Sequence, residues 1–215
     1  MILLVMHSIV SLISGRGSNF EAIYRTAQAK SWNVRFSGLI SNNPDAKGLE
    51  FARSHGIPTA VINHRDFPNR DSFDQALQVQ IDRFGADLVV LAGFMRILTP
   101  KFIEHYQGRM INIHPSLLPL YPGLHTHERA LESGDAVHGA TVHFVSAGVD
   151  EGPIICQGEV PILAGDDANH LAARVLKMEH LIYPLAVEWF IHQRLHLDGD
   201  TVRVDPPESQ YISLA

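Results

Sequence analysis

Apolar and polar residues change their period repeatedly along the chain. "IVSLIS", residues 9–14, is a short apolar run, and "NFEAIYRTAQAK" after it sets Phe20, Ile23 and Ala27 at helical spacing. The same change of period recurs with "VRFSGLIS" followed by "AKGLEFARSHG", where Gly56 is a helix stop signal. "TAVIN" and "RDSFDQALQVQIDRFG" repeat it, again closed by a glycine. "ADLVVLAG" is continuously apolar, as expected of a strand covered on both faces. A short helix over "TPKFIEHYQG" then leads into a strand, "RMINIH". Beyond it the pattern predicts a helix over residues 127–133, strands "GATVHFVS" and "PIICQGEVPI", and an amphipathic helix over residues 168–196. The tail from Asp198, with "DPPESQ", reads as turn-rich. Strands alternating with helices predict an α/β fold: a doubly wound, mostly parallel sheet flanked by helices, with a Rossmann-like N-terminal half. No linker or shift of composition divides the chain, so residues 1–215 read as a single domain.

Composition narrows the partners. With 46% hydrophobic residues among 215, the chain can bury a substantial core. Its net charge of -6 argues against a broad nucleic-acid footprint and leaves room for a local anion site. The single cysteine, Cys156, excludes an internal disulfide, fits a reducing compartment, and lies in a strand-like run where a core thiol is expected. "MILLVMHSIVSLIS" lacks a basic leader and a cleavage site and is too short to span a bilayer. Residues 1–8 therefore read as an extension of the first strand, and the expected location is the cytoplasm.

Ligands in such sheets bind where the strands end at their carboxyl side, and four segments converge there: "SGRGSN", "GFMRIL", "NIHPSLLP" and "VSAGVDEGPI". In the first, Gly15 and Gly17 permit close backbone approach, and Ser18 and Asn19 sit where a helix start offers free N–H groups to a phosphate. Phe20 occupies the third glycine position of a dinucleotide fingerprint, which weakens that reading. A tight turn with an ordinary cap is the plain alternative. In the third segment, strand alternation puts Asn112 and His114 on one face, with Ile111 and Ile113 on the other. In the fourth, a Gly/Pro-bounded loop can aim Asp150 at a neighbour. Amide, imidazole and carboxylate together can stabilise an oxyanion, donate a proton and hold the donor charged. Two readings are open for His143, a residue that faces the site or a strand histidine satisfied by its surroundings, with a slight preference for the second. Thirteen histidines include His125 and His127, but an alternate-residue pair without a carboxylate partner is a weak metal signal, so no metal is expected.

"LISGRGSN", "LAGFMRIL", "INIHPSLLPLYPGLHTHERALESGD" and "VDEGPIICQ" resemble, in order and spacing, the glycinamide ribonucleotide formyltransferase family of purine synthesis. The resemblance implies that 10-formyltetrahydrofolate is the cosubstrate, with catalytic residues at Asn112, His114 and Asp150. It further implies that Gly17, Ser18, Asn19 and Glu179 hold the nucleotide substrate. The implied folate site comprises Arg70, Met95, Arg96, Ile97, Leu98, Asn112, Ser146, Ala147, Gly148, Val149 and Asp150. Without the resemblance, Glu179 reads as an exposed helical acid. The implied partners are these two small molecules, with no nucleic acid and no membrane, in a monomer or homodimer.

Two neighbouring activities separate by sequence. Methionyl-tRNA formyltransferases typically carry "HASLLP" and a further basic domain, and formyltetrahydrofolate deformylases carry "HHSFLP" and an added regulatory domain. Here the segment reads "HPSLLP" and neither addition is seen. The expected chemistry is direct acyl transfer, with no covalent enzyme intermediate.

Overall fold

The computed structural model describes residues 6–213. Of the extension expected at residues 1–8, residues 1–5 lie outside the described residues, and His7 and Ser8 already belong to the first strand. The chain forms two compact units, one up to Ile111 and one from Asn112.

The first unit alternates as the periodicity predicts: β1 (His7–Ile13), α1 (Ser18–Ala29), β2 (Val34–Ser41), α2 (Gly48–Ser54), β3 (Thr59–Val61), α3 (Arg70–Phe84), β4 (Leu88–Leu91) and α4 (Pro100–His105). Its strands lie in the order β4-β1-β2-β3 and all run parallel, with Ser11 of β1 between Leu39 and Val90. All of β4 and residues 8–13 of β1 are buried, so these strands read as continuous apolar runs. Phe20 of α1 meets Phe36 and Phe51 edge-on at 5.9 and 6.1 Å. The helix ends follow local chemistry: Asn69 caps α3 by accepting from Ser72 N at 2.9 Å, and Gly85 ends it in the left-handed region.

The strand β5 (Met110–His114) carries the chain into the second unit, which continues with α5 (Thr126–Ser133), β6 (Val137–Phe144), β7 (Ile154–Pro161) and α6 (Ala168–Ile191). These are followed by β8 (Leu195–Asp198), β9 (Thr201–Val204) and β10 (Tyr211–Ser213). The order here is β10-β7-β6-β5, with β6 and β7 antiparallel and β10 parallel to β7. The long helix α6 buries Leu171, Val175, Met178, Ile182 and Trp189.

Two expectations are corrected. α6 ends at Ile191 rather than near residue 196, because the chain turns at Gln193 (φ 56°) and enters β8. The tail is also not merely turns. β8 and β9 form a hairpin about Gly199 (φ 58°), which buries Val202 and Val204, and β10 joins the edge of β7. Gln210 secures that edge: its carbonyl accepts from Gln157 N at 2.8 Å, and its amide donates to Ile155 O at 2.7 Å.

Candidate active site

At the end of β5, strand alternation delivers what it promised: Asn112 reaches His143 of β6, and His114 reaches Asp150 in the loop that follows β6. His114 Nε2–H donates to the Tyr121 carbonyl at 2.9 Å, and its Nδ1 lies 3.3 Å from Asp150 Oδ2. The two ring nitrogens thus face two oxygens, a backbone carbonyl on one side and a carboxylate on the other. Asp150 Oδ2 also accepts from Gly123 N at 2.9 Å. The side chains of His114 and Asp150 are 7% and 13% exposed, which strengthens the interaction relative to one in open water. Asp150 itself has φ 57°, a left-handed conformation that turns its carboxylate back toward the histidine.

Of the two readings of His143, the geometry favours the one that faces the cluster. Its Nδ1–H donates to the Phe144 carbonyl at 2.9 Å, which leaves Nε2 bare to accept from Asn112 Nδ2 at 3.2 Å. Burial, the dominant influence, pulls its pKa below the usual histidine value, against the opposing effects of the Phe144 bond and Asp150. A neutral ring suits the acceptor role toward Asn112. Its Nε2 lies 3.8 Å from Asp150 Oδ1, so amide, two imidazoles and one carboxylate form a single cluster.

The loops that carry this cluster are fastened by side chains that sequence reasoning missed. Thr141 Oγ1 donates to Ser116 O at 2.6 Å and accepts from Leu118 N at 3.0 Å. Gln157 Nε2 donates to Thr141 Oγ1 at 2.9 Å and to Leu118 O at 2.8 Å. These residues act on backbone groups, so no motif marks them; their pairing across β6 and β7 is the one available signal. The turn bearing Asp150 is closed by Phe144 N, which donates to Pro153 O at 2.9 Å. A Cβ on Gly152 would lie 1.7 Å from the Phe144 carbonyl oxygen, so only glycine fits there. Around Asp150, Ser146 and Gly148 are half-buried and Ala147 and Val149 are exposed. Glu179 lies on the buried side of α6 at 8% exposure, which overturns its plain reading as an exposed helical acid.

The remaining candidates lie in the first unit. Gly17 has φ 72° and precedes α1, and Ser18 and Asn19 are the first residues of that 12-residue helix. The first turn of a helix presents backbone N–H groups of a kind that suits an anion. A Cβ on Gly17 would approach Gly48 Cα to 3.1 Å. Met95 and Ile97 are 68% and 57% exposed, unusual for apolar side chains and suited to a flat apolar ligand, while Leu98 is buried. Arg96 and Arg70 are exposed, and Arg70 opens α3. One turn further along α3, buried Asp74 accepts from Thr99 N at 2.6 Å, and desolvation raises its pKa. A concavity of about 500 Å³ lined by Asn63, Phe67, Ser72, Gln75, Val79 and Arg83 contains none of these candidates. Among the described residues, no group of three or more His, Cys, Asp or Glu side chains could hold a metal ion, and no helix is long and apolar enough to cross a membrane.

The family model for formyl transferases matches residues 7–187, which include the whole polar cluster. The chain belongs to the formyl transferase family. Within that family it is 48% identical over 205 residues to a phosphoribosylglycinamide formyltransferase of Escherichia coli, covering 94% of this chain and 97% of that one. It is 46% identical over 177 residues to the human trifunctional purine biosynthetic protein adenosine-3, covering 82% of this chain but 18% of the human protein. A solved phosphoribosylglycinamide formyltransferase from Coxiella burnetii superposes with a TM-score of 0.90 at 44% identity, covering 98% of this chain and all of that one (100%).

Proposed function

We propose that the chain transfers the formyl group of 10-formyltetrahydrofolate to the amino group of glycinamide ribonucleotide, a step of purine synthesis, and works as one formyltransferase domain. The observation that carries this reading is the cluster of Asn112, His114, His143 and Asp150, buried or half-buried, in a member of the formyl transferase family. The phosphoribosylglycinamide formyltransferases of E. coli and Haemophilus influenzae match it along nearly their full length, 97% and 100%. That favours the ribonucleotide as acceptor over water or a charged tRNA.

In this mechanism the substrate amine attacks the formyl carbon, the bond from that carbon to the folate nitrogen breaks, and the amine proton passes to that nitrogen. Negative charge develops on the formyl oxygen. Asn112 donates to it with the amide hydrogen that His143 does not take. His114 donates Nε2–H, exchanging its bond to the Tyr121 carbonyl for one to the substrate. Asp150 sets a negative charge 3.3 Å from the opposite ring nitrogen, Nδ1. Losing one such donor typically costs about 2.7–4 kcal/mol of transition-state stabilisation. Gly17, Ser18 and Asn19 take the substrate phosphate and Glu179 its sugar. Arg70, Met95, Arg96, Ile97 and Leu98, with residues 146–150, take the folate. On this reading the partners are small molecules, without nucleic acid or membrane, in a cytoplasmic monomer or homodimer.

The test is incubation of purified protein with 10-formyltetrahydrofolate, with and without glycinamide ribonucleotide, following release of tetrahydrofolate. Release only with the ribonucleotide is expected. Steady release without it would instead identify a hydrolase, and dependence on charged initiator tRNA the other transferase.

A further inference from the structure

One serine joins two of the candidate segments in the first unit. Ser14, the residue after β1, donates its N–H to the Gly93 carbonyl at 3.1 Å. Its hydroxyl accepts from Met95 N at 2.8 Å and donates to Asn42 Oδ1 at 2.7 Å. Its carbonyl accepts from Asn43 Nδ2 at 3.4 Å. The next residue, Gly15, accepts at its carbonyl from Gly48 N at 3.2 Å. The hydroxyl is therefore fully oriented: Met95 N–H can only donate, so the single hydroxyl hydrogen goes to the asparagine. Asn42 is 5% exposed, and His64 Nδ1 lies 3.2 Å from both its amide nitrogen and its backbone carbonyl oxygen. At the other end of the segment, Asp74 holds Thr99 N at 2.6 Å. Residues 95–99 are thus fastened at both ends, and one fastening is a side chain of the glycine turn.

We propose that Ser14, oriented by Asn42, is a positioning residue that couples the glycine turn to the turn at residues 93–95, so that ordering either turn for its ligand orders the other. This rests on the assignment above of phosphate to the first turn and folate to the second. Two ligands that each rigidify a shared element bind with positive cooperativity, because the second meets a turn already ordered. Ser14 touches neither ligand in this scheme. An alanine at position 14 leaves Met95 N–H and Asn42 Oδ1 without this partner, whereas threonine keeps the hydroxyl.

The experiment is calorimetric titration of the full chain with glycinamide ribonucleotide, in the absence and presence of saturating tetrahydrofolate, and in the reverse order. In the wild type each ligand should tighten the other by about three- to tenfold, the worth of one net hydrogen bond. Ser14→Ala should bring that factor close to one, and Ser14→Thr should restore it. Asn42→Ala, which frees the hydroxyl without removing it, should reduce the factor as well and serves if Ser14→Ala does not fold. Ser14→Ala, or Asn42→Ala in its place, retaining the wild-type factor would overturn the coupling. So would a wild type that binds both ligands independently. A wild type that binds neither ligand would defeat the functional reading itself, and this inference with it.

Discussion

Asp150→Asn isolates the charge that faces His114. The substitution keeps size and shape, and asparagine tolerates the left-handed backbone at this position (φ 57°), so the loop should stay in place. Its carbonyl can still accept from Gly123 N, which Asp150 now receives at 2.9 Å. What is lost is the negative charge 3.3 Å from His114 Nδ1. At that separation the Coulomb attraction is about 5 kcal/mol with an effective dielectric near 20. Net contributions of hydrogen bonds to charged groups run lower, at about 1.5–3 kcal/mol. These limits bracket the fall in kcat/KM between about 10-fold and about 5,000-fold, with roughly 200-fold near the middle. The loss should fall on kcat, because the charge matters most when the formyl oxygen becomes anionic. The assay is steady-state kinetics on Asp150→Asn, His114→Ala and the double variant, with thermal unfolding to establish that each is folded. If the two residues act as one unit, the double variant should be little worse than the worse single one. A folded Asp150→Asn within threefold of wild type, or losses that multiply in the double variant, would refute a charge-coupled pair.

Three further outcomes follow from particular contacts. Gly17→Ala forces a side chain into a left-handed residue beside Gly48. It should cost about 1–2 kcal/mol of stability and raise the ribonucleotide KM more than the folate KM; equal rises in a folded variant would exclude a dedicated phosphate turn. Thr141→Val keeps the volume but removes the hydroxyl bonded to Ser116, Leu118 and Gln157. At about 1–3 kcal/mol for each buried group left unpaired, urea denaturation should show a loss of at least about 2 kcal/mol, and a change under about 0.5 kcal/mol would contradict the fastening. Burial, aided by His127, pushes His138 from 6.5 down to about 4, so below pH 6.5 the unfolded chain binds the proton first. That contribution to stability is complete above pH 6.5 and is lost as pH falls toward 4, by at most about 3 kcal/mol. Urea midpoints at stepped pH should therefore fall more steeply in the wild type than in His138→Gln, and parallel slopes would count against it.

Much of the first unit was legible because its strands and helices differ in period and some of their ends carry their own signals, Gly85 among them. Asn112 and His114 were legible for the same reason, since alternation along a strand fixes the face. His143 was half-legible: its strand was evident, but its lack of a proton at Nε2 depends on the Phe144 carbonyl. The burial of Glu179 was hidden because the apolar face of α6 is broad enough to include an acid. Thr141 and Gln157 carried no motif, because they bind backbone atoms of a loop distant in sequence, and only their pairing across β6 and β7 marks them. The overshoot of α6 had a visible remedy, since "LHLDGDTV" carries a glycine-bearing turn between alternating residues and signals a hairpin.

The edge strand β10 sets an order of events on the ribosome. β7 is complete at Pro161, yet the strand that covers its outer edge begins at Tyr211, about 50 residues later. At about 5–20 residues per second, translation leaves that edge open for about 3–10 s after β7 has been made. Over that interval the outward backbone groups of β7, including the Gln157 N–H that Gln210 later receives, are free to pair with any other extended chain. The growing polypeptide is therefore open to mispairing along this edge while residues 162–210 are being added, after all four residues of its polar cluster have been made. The rate at which residues 162–210 are translated, rather than the stability of the finished fold, sets the length of that exposure.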